Sequence, residues 1–468
     1  MRINMEKKNT WETYSSKQLK ELEKINAQYR DFLDNGKTER ECIDTIVNTI
    51  EKSGYRELES LIKEGAALKT GDKVYSVWMN KSIAMFQIGR KPMTEGMNIL
   101  GAHIDSPRLD VKQNPLYEDG GFAYLDTHYY GGVKKYQWVT IPLAIHGVIV
   151  KKDGTCVEIN IGENEDDPVF FVSDLLIHLA QEQLEKKAAK VIEGEALDII
   201  VGNKPLLIDK KDKKKDEKEA GKEAVKAGVL DILKETYDIR EEDFVSAELE
   251  IVPAGKAREA GFDRSMTLAY GQDDRVCAYT SMQAMLDSDV TDRTMCCILV
   301  DKEEIGSVGA TGMQSHFFEN AVAEVMNLTG EYSELHVRRC LAHSCMLSSD
   351  VSSAFDPTYA SSFDKKNVAY LGGGMVINKF TGARGKSGSN DANAEYLAHL
   401  RHIFDKAEVN FQTAELGKVD LGGGGTIAYI LALYGMNVID SGVAVLNMHA
   451  PWEATSKADV YETYRGYK

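Results

Sequence analysis

The sequence predicts an α/β protein in which one domain is interrupted by a β-rich insertion. Three observations carry that prediction. Beyond about residue 256, apolar runs (Met295–Val300, Val368–Leu371, Val443–Leu446) alternate with helical patterns (Tyr279–Leu286, Glu395–Asp405, Ile427–Tyr434), as strands and helices in turn would. The short run Met97–Leu100 matches that half in character. Between them, residues 121–172 are rich in aromatic and β-branched residues with glycines at Gly131, Gly132, Gly147 and Gly154, which predicts an antiparallel meander. The expected layout is a discontinuous domain over 1–107 and 256–468, with an insertion over 108–255. At 468 residues and roughly 150 residues per folding unit, two or three units are expected.

The elements follow in order. Over the first 65 residues, spaced apolar positions such as Leu19, Leu22, Ile25 and Tyr29 stand among Lys and Glu, so amphipathic helices open the chain. Val74–Trp78, Ile83–Ile88 and Met97–Leu100 then read as strands. Every residue from Asp209 to Glu219 is charged, six lysines against five acids; so balanced a run predicts a solvated surface excursion.

Composition narrows the function. Fifty-six Lys and Arg stand against 73 Asp and Glu, a net charge of −17, which argues against nucleic acid or an anionic membrane surface as partner. The longest apolar stretches, such as Val139–Val150, fall short of the ~20 residues that span a bilayer. The first residues hold no apolar segment of the signal-peptide kind, and a cytoplasmic protein is expected. Seven cysteines, two of them adjacent at Cys296 and Cys297 and none in C-x-x-C, suggest neither a disulfide framework nor a thiolate metal site.

The chemistry collects in five segments, each an apolar run that ends in carboxylates or histidine: 98–107, 270–279, 297–312, 346–357 and 443–453. In open α/β sheets ligands bind beyond the carboxyl ends of the strands, so residues distant in sequence can converge there. Two histidines and several carboxylates without a thiolate suit zinc-class ions. Taken singly, each motif has a plainer reading. Asp273–Asp274 could cap the helix at 279–286, Glu303–Glu304 could sit at a helix N-terminus, Asp350 could be a cap or Asx turn, and His449 a hydrogen-bonded strand-end residue.

As an ordered set, Gly101-Ala102-His103-Ile104-Asp105-Ser106-Pro107, Asp273-Asp274, Asp301-Lys302-Glu303-Glu304-Ile305-Gly306, Ser348-Ser349-Asp350 and Met448-His449 resemble the aspartyl aminopeptidase family, dinuclear-metal exopeptidases of the MH clan. The likeness runs from about residue 70 to 468. It implies a mixed-sheet, zinc-exopeptidase-like catalytic domain and an inserted dimerisation domain. It also implies two divalent ions per subunit, most simply Zn, with Co or Mn as other candidates. Asp273 would bridge the ions, His103 and Asp350 would complete one, and Glu304 and His449 the other. Glu303 would be the general base and Asp105 would orient His103. The Leu176-Ile177-His178-Leu179 segment is similar to the family element whose histidine reaches a neighbouring subunit's active site, and the family's dimers build a dodecamer. Short peptides are the implied substrates. Gly422–Gly425 before Thr426-Ile427-Ala428 looks like the family's substrate loop, with Gly424 a candidate contact because glycine lets backbone N–H groups approach closely.

One position departs. Acid-specific members place a lysine directly after a Val-Ile pair, whereas Val376-Ile377 is followed here by Asn378, with Lys379 one place later. In a strand a one-residue shift turns a side chain to the opposite face, so a neutral or broad N-terminal preference is expected over an acidic one, unless the cluster Arg384-Gly385-Lys386 compensates. Two other functions stay open: a co-catalytic zinc deacylase or dipeptidase, and a non-catalytic assembly protein on the same fold.

Overall fold

The computed structural model describes residues 9–206, 223–424 and 427–468; the charged run Asp209–Glu219, and Gly425 with Thr426, lie outside them. The chain divides into two compact units. One holds Met1–Ser106, Ala257–Met448 and Trp452–Lys468, the other Pro107–Lys256 and His449–Pro451.

The first unit opens with α1 (Ser16–Asn35), α2 (Glu39–Lys52), β1 (Arg56–Glu57), α3 (Leu58–Glu64), β2 (Lys73–Trp78), β3 (Ser82–Gln87) and β4 (Asn98–His103). The second unit carries β5 (Arg108–Asp119), β6 (Phe122–Tyr130), β7 (Leu143–Val150), β8 (Cys156–Ile161), α4 (Gln181–Leu184), α5 (Ala188–Val191), β9 (Ile199–Gly202), α6 (Ala224–Tyr237) and β10 (Ala247–Pro253). The first unit resumes with β11 (Arg258–Ala260), β12 (Met266–Ala269), α7 (Gln272–Leu286), β13 (Met295–Val300), α8 (Phe317–Leu328), α9 (Glu334–His343), β14 (Cys345–Ser349) and β15 (Ser352–Ser353). It ends with β16 (Met375–Asn378), α10 (Ala394–Lys406), β17 (Phe411–Thr413), α11 (Ala428–Ala432), β18 (Asn437–Gly442), β19 (Ala444–Leu446), β20 (Glu453–Ser456) and α12 (Lys457–Tyr467).

Local chemistry accounts for the starts of the first two helices. Ser15 and Gln18 form a reciprocal capping box before α1, and Thr38 and Glu41 another before α2. The buried face of α1 is Leu22, Ile25, Tyr29, Phe32 and Leu33, the three-and-four spacing that an amphipathic helix requires.

The sheet order β1-β2-β3-β13-β4-β14-β18-β16-β17 puts the parallel strands β13, β4, β14 and β18 at the centre. Both faces are covered. Along β13, Cys297 and Leu299 join one apolar cluster with residues of α1, α2, α7, α10 and α12. Cys296, Ile298 and Val300 join another with residues of α3, α8, α9 and α11. Alternation at a period of two therefore buries a continuous apolar run on both sides, and the adjacent cysteines face opposite ways. All seven cysteines are free thiols. A five-stranded sheet, β11-β12-β20-β19-β15, completes this unit.

In the second unit the sheet runs β8-β7-β10-β5-β6-β9, antiparallel throughout. This corrects the expected meander: β7 does not follow β6, because β10 from the far end of the segment pairs with both β5 and β7. Val368–Leu371 also differs from expectation. It holds only an isolated bridge at Ala369, and the strand falls at Met375–Asn378. Among the described residues no helix is long and apolar enough to cross a membrane.

Candidate active site

Strand register brings the site together. Val300 at the end of β13 pairs with His103 at the end of β4. β14 pairs with β4 so that Ser348 stands opposite Gly101, which carries Asp350, two residues on, level with His103. Asp350 is held there by its N–H, which donates to the Ser441 carbonyl of β18 at 2.9 Å. Beyond β13, Lys302 adopts φ 71°, and a short 3-10 turn over Glu303–Ile305 follows, which swings both glutamates over the strand ends.

Asp273 and Asp274 arrive from another direction. They open α7, yet both have non-helical backbone angles, the peptide between them is cis, and no side chain caps the helix. The helix-cap reading of this pair is therefore corrected: the Asp273 carboxylate faces His103, and that of Asp274 accepts no N–H of α7. Ser106 Oγ donates to the Asp273 carbonyl at 2.6 Å.

Around His103, which is 1% exposed, Nδ1 lies 3.0 Å from the Asp105 carbonyl and 3.2 Å from its Oδ1. Two acceptors face that nitrogen, so it carries the proton. Nε2 then faces Asp273 Oδ1 at 3.3 Å and Glu303 Oε2 at 3.9 Å. Asp105 is fully buried and accepts the N–H groups of Glu303 and Glu304, each at 3.1 Å.

Three overlapping sets of ligand atoms lie within 4.8 Å of one another: His103, Asp273 and Glu304; His103, Glu303 and Asp350; Asp273, Asp274 and Asp350. The electrostatics follow from this crowding. Burial pushes Asp350 well above the ordinary carboxylate range, and the charges of Asp274 and Glu303 add to it. Asp274 is raised too, chiefly by burial, with Asp273 adding and His103 opposing. Burial works against a charged His103, but hydrogen bonds to Asp105 and Asp273 outweigh it and hold its pKa well above the usual value. So many carboxylates around one imidazole need positive charge, and without it they hold protons.

The donor set fits zinc, which takes imidazole nitrogen and carboxylate oxygen. Asp274 strengthens the fit: it is fully buried, and among the described residues its carboxylate has only the Cys277 thiol and the His103 backbone N–H close to it, neither in good hydrogen-bond geometry, a cost that a cation beside it would lower.

The other expected residues are in none of these three sets. His449, at φ 65°, belongs to the second unit, where its Nδ1 lies 2.9 Å from the Gly132 carbonyl; it is in none of the three sets. His178 lies in an exposed 3-10 turn of the same unit. Asn378 ends β16 and accepts from Ser352 Oγ at 3.5 Å, while Lys379 lies past the strand, exposed. Gly424 is exposed, and its carbonyl accepts the Gly382 N–H at 3.1 Å.

Two residues were missed by sequence reasoning. Asp274 was visible as half of an acidic pair, but nothing local told that its carboxylate would be fully buried beside the ligand sets. Glu453, 1% exposed, accepts the Asp273 N–H at 3.0 Å, and it had no signal beyond its place four residues after His449.

Comparison with known proteins points one way. Residues 32–468 match the family described as aminopeptidase I zinc metalloprotease (M18). A relative from Clostridium acetobutylicum, named probable M18 family aminopeptidase 1, is 63% identical over 99% of this chain and 97% of its own. The crystal structure of an M18 aminopeptidase from Thermotoga maritima superposes with a TM-score of 0.92 at 44% identity, covering 99% of this chain and 98% of that one. The crystal structure of aminopeptidase I from C. acetobutylicum gives 0.89 at 60% identity with the same coverage.

Proposed function

The chain belongs to the M18 family of zinc metalloproteases and is a metalloaminopeptidase; from that premise we propose that it removes neutral N-terminal residues from short peptides with two zinc ions and Glu303 as general base. The observation that carries this reading is the convergence of His103, Asp273, Glu303, Glu304 and Asp350 at the strand ends. Asp273, like His103 and Asp350, belongs to two of the ligand sets, and the family resemblance makes it the bridging carboxylate. His103 and Asp350 would complete one ion and Glu304 the other. For His449 as a second-ion ligand the family resemblance alone carries the assignment, as it does for His178 reaching a neighbouring subunit.

Zinc bound there supplies a Lewis acid that lowers the pKa of water and polarises a carbonyl. Glu303 takes the proton of the attacking water and passes it to the departing amine. Asp105 orients both sides of that event, through His103 Nδ1 and through the glutamate N–H groups.

Support for a neutral preference comes from the basic groups near Asn378. Lys379 is exposed beyond the strand, and Lys386 pairs with Asp391 at 3.2 Å while lying 3.8 Å over the Phe380 ring. Lys386 is thus already engaged by a carboxylate and a ring of this chain. We assign self-association to the second unit, where Leu176, Ile177, Leu179 and Leu184 stand 56–68% exposed and would be covered in a dimer. Assembly of such dimers into a dodecamer follows the resemblance.

The test is hydrolysis of Leu-, Met-, Asp- and Glu-anilides after chelation and addition of zinc, cobalt or manganese, wild type beside Glu303→Ala. Activity restored by metal, lost in the variant and greater on Leu or Met is expected. Tenfold faster cleavage of Asp or Glu overturns the neutral preference. No turnover with any metal overturns the mechanism.

A further inference from the structure

We infer that Glu453 is a positioning residue for the metal site: it holds the backbone of Asp273 and so sets where that carboxylate stands. The inference rests on the reading of Asp273 as a zinc ligand. Glu453 begins β20, with Ala269 of β12 as its register partner, and Asp273 lies four residues beyond Ala269. The carboxylate of Glu453 accepts the Asp273 N–H at 3.0 Å, and the Glu453 carbonyl accepts from Gln272 Nε2 at 2.6 Å. One strand residue therefore clamps two successive residues at the entry to α7.

The clamp meets a real need. Asp273 is buried and stands outside helical geometry, so its N–H cannot take a partner from a helix ladder, and a buried N–H without one is costly. Here no side chain caps α7, and Asp273 cannot serve, since its own carboxylate faces His103. Gln272 is spent as well. Its Nε2 also donates to the Thr267 carbonyl at 3.2 Å, and its Oε1 accepts from Tyr29 Oη at 3.1 Å and Thr455 Oγ1 at 2.7 Å. Glu453 supplies the missing acceptor from β20, the strand paired with the β12 that leads into this segment. It is in none of the ligand sets, so it acts through Asp273 and not on the metal or the substrate.

The experiment compares wild type, Glu453→Gln and Glu453→Met for zinc affinity, by competition with a chromogenic chelator, and for kcat and KM on an aminoacyl anilide. Melting of the metal-free proteins is followed alongside. Met fills the space without an acceptor, and it is expected to weaken zinc binding by about 10–100-fold, the usual effect of losing a ligand's hydrogen-bond partner, and to lower kcat with KM little changed. Gln keeps an oxygen for the N–H and is expected to stay close to wild type. Zinc affinity and kcat equal to wild type in Glu453→Met overturn the inference. So does an equal loss in Glu453→Gln, which would assign the effect to charge. If Glu453→Met fails to fold, Glu453→Asp, which withdraws the acceptor by one methylene, is read by the same criteria. A wild type that binds no zinc overturns the reading of the site instead.

Discussion

Asp105 Oδ1 accepts the backbone N–H of Glu303 at 3.1 Å, across 198 residues of chain. The same carboxylate faces His103 Nδ1, so one buried group fixes an imidazole on β4 and the turn after β13. Asp105→Ala is expected to lose both supports and to lower kcat and zinc affinity together, by about 10–100-fold each. Steady-state kinetics with zinc titration would check it, and a fall in kcat alone would mean that the ligands are held without Asp105.

Glu303 differs from its neighbours in being replaceable without loss of the ligands proposed above. Glu303→Ala is expected to cost about 10²–10⁴ in kcat while the purified variant still carries two zinc ions per chain by elemental analysis. Asp273→Asn, in contrast, is expected to lose both ions, because Asp273 is the carboxylate proposed to bridge them.

Metal binding should be coupled to protons. Without metal, His103, Asp274 and Asp350 all stand with raised pKa values, which favours their protonated forms, so zinc competes with protons for these groups. Zinc affinity is therefore expected to rise with pH, with net proton release on binding. Calorimetry in buffers of differing ionisation enthalpy measures that release directly; none would contradict the crowding seen in the site.

A second titration lies away from the site. Asp459 is fully buried and accepts the N–H groups of Gly372 and Gly374, both at 2.8 Å. Burial, opposed by those two bonds, pushes its pKa up from 3.8 to about 8. The folded chain thus holds a proton that the unfolded chain releases above about pH 4. The stability this contributes is present at low pH and is lost as pH rises through about 8. The melting temperature of Asp459→Asn relative to wild type is expected to climb steadily from pH 4 to pH 8; a flat difference would show Asp459 ionised throughout.

Gly442 tests the packing behind Asp350. A Cβ there would collide with the Asp350 carbonyl oxygen and crowd Cys277 Sγ, and a backbone atom cannot swing aside. Gly442→Ala is expected to destabilise the chain by about 1–3 kcal/mol and to weaken zinc retention, as read by denaturant melts with and without metal.

Much of this was legible in the residues. Capped helices, β-rich runs and the strand-like segments ahead of the acidic motifs are local properties, written in hydrophobic period and capping chemistry, and the ordered motifs carried the family. The misreadings share a cause. β10 lies between β5 and β7, and no local pattern states which distant strand will supply a pairing edge. Asp273–Asp274 looks like a helix cap because capping is the commonest use of an acid there; only packing shows both residues drawn out of helical geometry.

The sequence by itself determined the alternation of apolar and polar residues, the helix starts, the acidic balance and the order of the chemical motifs. Tertiary structure alone decided that β13, β4 and β14 lie side by side, so that Val300, His103 and Asp350 come level, and that Glu453 of another sheet closes on the Asp273 N–H. The physical reason is range. Hydrogen-bond period and side-chain polarity act between neighbours in the chain, whereas register between strands is set by which apolar faces can be buried together, a property of the whole folded unit.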